Sequence, residues 1–214
     1  VENIDFKGKA ITLRSENGPE NTIIAGIGDG VVVTMDSSED ENSILYGFTI
    51  RNGIDNKGGG IHIDDSSPII RNCIIENNTA TSYGGGIYIN RSFALIDSCI
   101  IRSNSAAKGG GIYTTDERGF PIFQNCEFTG NTSTGDGGAV YVDYVDATFK
   151  HCNFLNNLAE DDGGGMHLRN SISTLTDVTF SGNVSVDDGG GMFLYQSSPT
   201  LTDVTFSGNS ADDF

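Results

Sequence analysis

Six times along the chain a glycine triplet, or its near equivalent, recurs: Gly58-Gly59-Gly60, Gly84-Gly85-Gly86, Gly109-Gly110-Gly111, Gly137-Gly138-Ala139, Gly163-Gly164-Gly165 and Gly189-Gly190-Gly191. The last residues of successive triplets lie 26, 25, 28, 26 and 26 positions apart. A fixed period of this size marks a repeat architecture. In such chains one repeat cannot bury its own apolar face, and stability comes from stacking neighbours.

Each triplet is followed by an alternating pair: Ile61/Ile63, Ile87/Ile89, Ile112/Thr114, Val140/Val142, Met166/Leu168 and Met192/Leu194. Alternation with period two is a strand with one face buried. A second column contributes Ile70, Ile96, Phe123, Phe149, Leu175 and Leu201. A third contributes Cys73, Cys99, Cys126, Cys152, Val178 and Val204, with Ile75, Ile101, Phe128, Phe154, Phe180 and Phe206 two residues on. Each repeat therefore holds three short strands and no helical period. Apolar residues make up only 36% of the chain, but their fixed spacing distinguishes a narrow core from a disordered polymer. Stacked coils pair their strands in parallel at about 4.8 Å, so eight coils make a rod of roughly 40 Å. The predicted fold is all-β: a right-handed, single-stranded parallel β-helix of about eight coils of roughly 26 residues, with three parallel sheets. A propeller would need repeats of roughly 40 residues.

An asparagine closes each third strand: Asn78, Asn104, Asn131, Asn157, Asn183 and Asn209. Asparagine tolerates left-handed backbone and can bond neighbouring amides, so these residues are expected to form a corner and a ladder. Residues 1–57 follow the pattern less regularly than 58–214, and the whole of 1–214 reads as one domain. The run Glu39-Asp40-Glu41 reads as an exposed loop. The chain opens within the pattern at Val1-Glu2-Asn3-Ile4 and stops at Asp212-Asp213-Phe214. It is therefore expected to be a mature or truncated piece of a longer protein, with unpaired strand edges that favour end-to-end self-association.

The formal charge is −17, which repels phosphate backbones and argues against nucleic-acid binding. Residues 151–214 carry nine acids and a single base, Arg169. No apolar run is long enough to cross a bilayer as a helix, so no direct membrane insertion of this segment is expected.

The combinations GGGI, GGAV and GGGM, with Phe128-Thr129-Gly130-Asn131, Phe154-Leu155-Asn156-Asn157, Phe180-Ser181-Gly182-Asn183 and Phe206-Ser207-Gly208-Asn209, resemble the GGA[ILV] and FxxN repeats of polymorphic outer membrane proteins. Ile75-Glu76-Asn77-Asn78 and Ile101-Arg102-Ser103-Asn104 depart from that pattern. Glu2 to Ile24 looks like the opening coil of bacterial β-helix surface proteins. The resemblance covers nearly the whole chain and implies a secreted or surface-displayed passenger, often adhesive. It carries no catalytic residues, because the matching positions all build the coil.

Four constellations could carry chemistry. The residues between the buried pairs, His62, Tyr88, Tyr113, Tyr141, His167 and Phe193, should form an outward aromatic ladder. Exposed, it would suit a glycan or a host or cell-surface protein. Asp161, Asp187 and Asp213 share one column and Asp162 and Asp188 the next. Like charges about 5 Å apart repel, and Ca²⁺ would relieve the repulsion. The cysteine column, interchangeable with valine, should hold free inward thiols, since parallel Cβ vectors suit a disulfide poorly. Lastly, Asp161, Asp162, His167 and Arg169 lie close enough for a sugar-cleaving site of the kind found in pectate lyase-like β-helices. The NTD and RIK motifs of polygalacturonases are absent from the sequence, and the repeats are uniform where an active site usually breaks them. The leading expectation is a non-enzymatic extracellular or cell-surface β-helix with an adhesive, binding or structural role; the alternative is a polysaccharide lyase or glycoside hydrolase.

Overall fold

A computed structural model describes residues 2–212. Asp213, expected in the first acid column, lies outside the described residues. All pairing between strands is parallel, and no helix occurs among the described residues. The first sheet stacks eight strands, one per coil: Ile4–Asp5, Val33–Met35, Ile61–Asp64, Ile87–Asn90, Ile112–Thr115, Val140–Asp143, Met166–Arg169 and Met192–Tyr195. The chain is a parallel β-helix of eight coils.

Three sheets form, as predicted, but the residues divide among them differently. The second and third apolar columns share one 13-stranded sheet. In the coil of Ile69–Arg71 and Ile74–Glu76, only Asn72 and Cys73 separate the two strands, and of these Asn72 is left-handed (φ 50°). One such residue kinks the chain without ending the ladder. In the last three coils the strands run together as Thr148–Leu155, Thr174–Ser181 and Thr200–Ser207. The remaining sheet has seven short strands between the asparagine and the glycines, beginning with Ile54–Lys57 and Thr79–Tyr83.

The asparagines do form a ladder, buried from Asn78 to Asn183. The Oδ1 of Asn131 accepts from the backbone N–H and Nδ2 of Asn104, while its own Nδ2 donates to the Ile101 carbonyl and to Asn157 Oδ1. The left-handed position, however, is the preceding residue: Asn77, Ser103, Gly130, Asn156, Gly182 and Gly208, all with φ between 53° and 65°. That explains the glycine before the asparagine at Gly130, Gly182 and Gly208. A Cβ on Gly130 would meet nothing within 4 Å, so conformation alone selects it. At the triplets space is limiting too: a Cβ on Gly110 would overlap the carbonyls of Thr132 and Gly138.

Inside, isoleucine fills the earlier coils and phenylalanine the later ones. Phe128, Phe154, Phe180 and Phe206 stack with ring centroids 4.5, 4.6 and 4.9 Å apart. Each fully buried ring stabilises the fold by about 1.5–3 kcal/mol. Cys73, Cys99, Cys126 and Cys152 are free and buried, and Cys152 is in register with Val178 and Val204. Burial pushes the Cys99 thiol well above its ordinary range. The last coil leaves Leu194, Leu201 and Phe206 more than 40% exposed.

The acidic run near residue 40 departs from its expected exposure. Glu39 is only 2% exposed. Its carboxylate accepts from the Gly8 and Ser37 N–H groups (2.8 and 2.9 Å) and the Ser66 hydroxyl (2.8 Å), tying three successive coils together. Burial alone would raise this carboxyl, but the hydrogen bonds outweigh it and hold it below the usual range. Asp40 and Glu41 are exposed as expected.

Candidate functional site

On the outer face of the first sheet three rows run along the rod. The central row is the expected ladder, His62–Tyr88–Tyr113–Tyr141–His167–Phe193, in unbroken register. On one side stand the residues preceding each glycine triplet: Lys57, Tyr83, Lys108, Asp136, Asp162 and Asp188. On the other stand the last residues of the strands: Asp64, Asn90, Thr115, Asp143, Arg169 and Tyr195.

The ladder is not the exposed stripe its outward position implied. Tyr88, Tyr113, Tyr141 and His167 are buried; only His62 and Phe193, at its ends, are partly open. The rings lie face to face, Tyr113 on Tyr141 at 5.3 Å and Tyr141 on His167 at 4.5 Å, and the flanking rows cover their edges. Tyr83 packs on Tyr113 at 4.6 Å, and the Lys57 and Lys108 ammonium groups each sit 5.0 Å from a ring centroid, over Tyr88 and Tyr141. Stacking and cation–π contact make this row a second, thin apolar layer.

The flanking rows change character along the rod. In the earlier coils charges are matched: Arg91 pairs with Asp64 at 2.7 Å and with Asp65, and Asn90 donates to Asp64. Tyr113 donates its hydroxyl to Asp143 at 2.8 Å, and Arg169 lies 3.5 Å from the same carboxylate. In the later coils one row becomes Asp136, Asp162 and Asp188, stacked by backbone bonds from Gly137 to Asp162 and from Gly163 to Asp188. Lys108 bonds Asp136 Oδ2 at 2.8 Å. The other carboxylate oxygen, Oδ1, faces His167 Nδ1 at 3.7 Å, too far for a hydrogen bond. His167 Nδ1 is buried and has no partner. Burial pushes this imidazole down to about 4, with Lys108 and Arg169 adding to the shift and Asp136 opposing it. Burial, then the charges of Asp136, Asp188 and Asp187, raise Asp162 above the usual carboxylate range, although the Asp188 N–H donates to it.

These groups line an open depression of about 470 Å³ formed by Lys108, Asp136, Tyr141, Asp162, His167, Arg169, Phe193 and Tyr195. Of the sugar-cleaving set expected from sequence, Asp162, His167 and Arg169 meet here and Asp161 stands exposed outside. Of the calcium set, Asp161 stacks with Asp187 and Asp162 with Asp188, as expected. Yet Asp161, Asp187 and Asp188 point into solvent. Among the described residues the one trio of ligating side chains with donor atoms within 4.8 Å of one another is Asp136, Asp162 and His167. Sequence reasoning missed Asp136, Lys108 and Asp143. The signal was available: the position before each triplet reads Lys, Tyr, Lys, Asp, Asp, Asp, but the change is visible only when that column is read as a whole.

A family model described as a right-handed beta helix region matches residues 3–154 and, in a second overlapping alignment, residues 75–213. A search of curated proteins finds no match.

Proposed function

This chain belongs to the right-handed β-helix family, and from that premise we propose that it is a secreted or surface-displayed, non-enzymatic rod that binds glycan through the depression around His167. The observation that carries this reading is the company the charged groups keep. Tyr195 is 47% exposed and Phe193 partly open, beside the planar charged groups of Arg169, Asp136 and Asp162. Rings that meet the apolar faces of a sugar, flanked by charges that bond its hydroxyls, are the chemistry of carbohydrate recognition. The uniform coils elsewhere, and the repeats resembling the GGA[ILV] and FxxN repeats of polymorphic outer membrane proteins, support a scaffold that displays one patch rather than a deep reaction cleft. A glycan array followed by calorimetry tests it. Wild type should bind a defined oligosaccharide, and Tyr195→Ala should weaken binding at least tenfold with the β-sheet circular dichroism unchanged. Absence of any glycan ligand, or equal binding by the variant, would overturn it.

One observation favours a second reading, a polysaccharide lyase or glycoside hydrolase. Asp162 is raised while His167 beside it is lowered, and environments that push neighbouring groups apart often mark acid and base partners. New reducing ends or unsaturated products from an acidic polysaccharide, lost in His167→Phe, would replace the binding reading with this one.

A further inference from the structure

We propose that Asp136, Asp162 and His167 form a binding site for a divalent transition-metal ion of the zinc type. This goes beyond the glycan reading and does not depend on it. Two independent features meet at the site. First, the equal length of successive coils places Asp162 over Asp136, and the donor atoms of the three side chains lie within 4.8 Å of one another. Second, the His167 Nδ1 is buried, unpartnered and aimed at this gap, with its residue only 5% exposed. A buried ring nitrogen without a partner is costly. Of the buried side-chain atoms left unpartnered among the described residues, which also include Arg51 Nε, Thr114 Oγ1, Asn170 Nδ2 and Ser185 Oγ, His167 Nδ1 is the one that faces two carboxylates.

The donor chemistry selects the metal. Zinc accepts imidazole nitrogen and carboxylate oxygen at about 2.0–2.2 Å, which in a tetrahedron places donors roughly 3.4 Å apart. Asp136 Oδ1 and His167 Nδ1 are already 3.7 Å apart, so Asp162 has only to turn its side chain inward. The unpartnered Nδ1 of His167 has no protein group to compete for a cation. Lys108 holds the other oxygen of Asp136, orienting that carboxylate. Calcium fits less well, since it takes six to eight oxygens and no nitrogen. Three protein ligands leave a coordination position open towards the depression.

The test titrates EDTA-stripped protein with ZnCl₂ against a chromophoric indicator and records melting curves with Zn²⁺, Ca²⁺ or neither. The expected result is one zinc per chain, with a melting temperature raised by zinc and not by calcium. Asp162→Asn and His167→Phe should each weaken zinc binding at least tenfold. Phenylalanine is chosen because Phe193 occupies the same row one coil on, so stacking and fold should survive; circular dichroism checks this. Asp161→Asn, in the neighbouring exposed column, should bind as wild type does. The proposal fails if zinc does not bind, or if both ligand variants bind it unchanged. It also fails if calcium stabilises as well as zinc and Asp161→Asn abolishes that gain, which would locate the cation on the exposed acids instead.

Discussion

The first sheet carries the same three outward rows throughout, yet its earlier and later coils are built on different rules. From Lys57 to Thr115 each charge has a partner: Lys57 lies over Tyr88, and Arg91 clamps Asp64 and Asp65. From Asp136 to Tyr195 acid stacks on acid, and a buried imidazole nitrogen goes unbonded. The register of the first sheet does not change between the two regions; it is continuous across Thr114 and Val142. A repeat protein can therefore vary its surface row while its strand register stays fixed. The place where local rules are broken without a compensating bond is where function is to be sought.

The interior half of this contrast predicts the largest effect. Asn131→Leu orphans the Asn104 N–H, one Asn104 amide bond and the Ile101 carbonyl. At about 1–3 kcal/mol per orphaned buried group, the loss should be roughly 3 kcal/mol or more by urea denaturation. Asn78→Leu and Asn183→Leu should cost similar amounts. A much cheaper loss in the later coils would break the comparison, because it would make the interior, and not only the surface, looser there.

The next effect sets a satisfied acid against a crowded one. Glu39→Gln loses part of a charged hydrogen-bond set and should cost about 1.5 kcal/mol near pH 7. The folded Glu39 carboxyl is lowered, so its contribution is present above the ordinary value and is lost as pH falls through the lowered one. Asp162 is raised, so its ionised form opposes folding, and that opposition is relieved as pH falls through the raised value. Glu39→Gln should thus flatten the acid limb of the stability profile, whereas Asp162→Asn in metal-free protein should be slightly stabilising at pH 7. Chemical denaturation between pH 3 and 7 checks both signs. Destabilisation by Asp162→Asn without metal would deny that the later acids are crowded.

Tyr113→Phe should cost about 1–2 kcal/mol, the worth of a hydrogen bond to the Asp143 carboxylate. It would sharpen the boundary, since Tyr113 joins the two regions. The smallest effect should be at Asp187, exposed in the outer acid column. Asp187→Asn should stay within about 0.5 kcal/mol of wild type by thermal denaturation.

Much of the fold could be read from spacing. Strands following Gly60, Gly86 and Gly111, inward cysteines interchangeable with Val178 and Val204, and stacked asparagines all follow from one period. What escaped was whatever depends on contacts between irregular positions or on how side chains lie. The corner at Asn72 and Cys73 reads like a strand break, because a left-handed residue leaves no mark in the apolar pattern. Glu39 finds its partners at Gly8 and Ser66, in coils too irregular to align. The alternation placing Tyr88 and Tyr141 outward was right about direction. It could not show that Lys57, Tyr83 and Lys108 would fold over the rings. At the candidate site Asp162, His167 and Arg169 were legible as sequence neighbours, while Asp136 and Lys108 come from earlier coils.

The most direct measurement is anomalous diffraction at the zinc edge, from crystals of EDTA-stripped protein soaked with one equivalent of zinc. A single anomalous peak bonded to His167 Nδ1 and the carboxylates of Asp136 and Asp162 is the expected result. A peak between Asp161 and Asp187, or none at His167 with zinc bound elsewhere, would contradict the claim that the chemistry of this rod gathers where its outward rows leave a buried group unpaired.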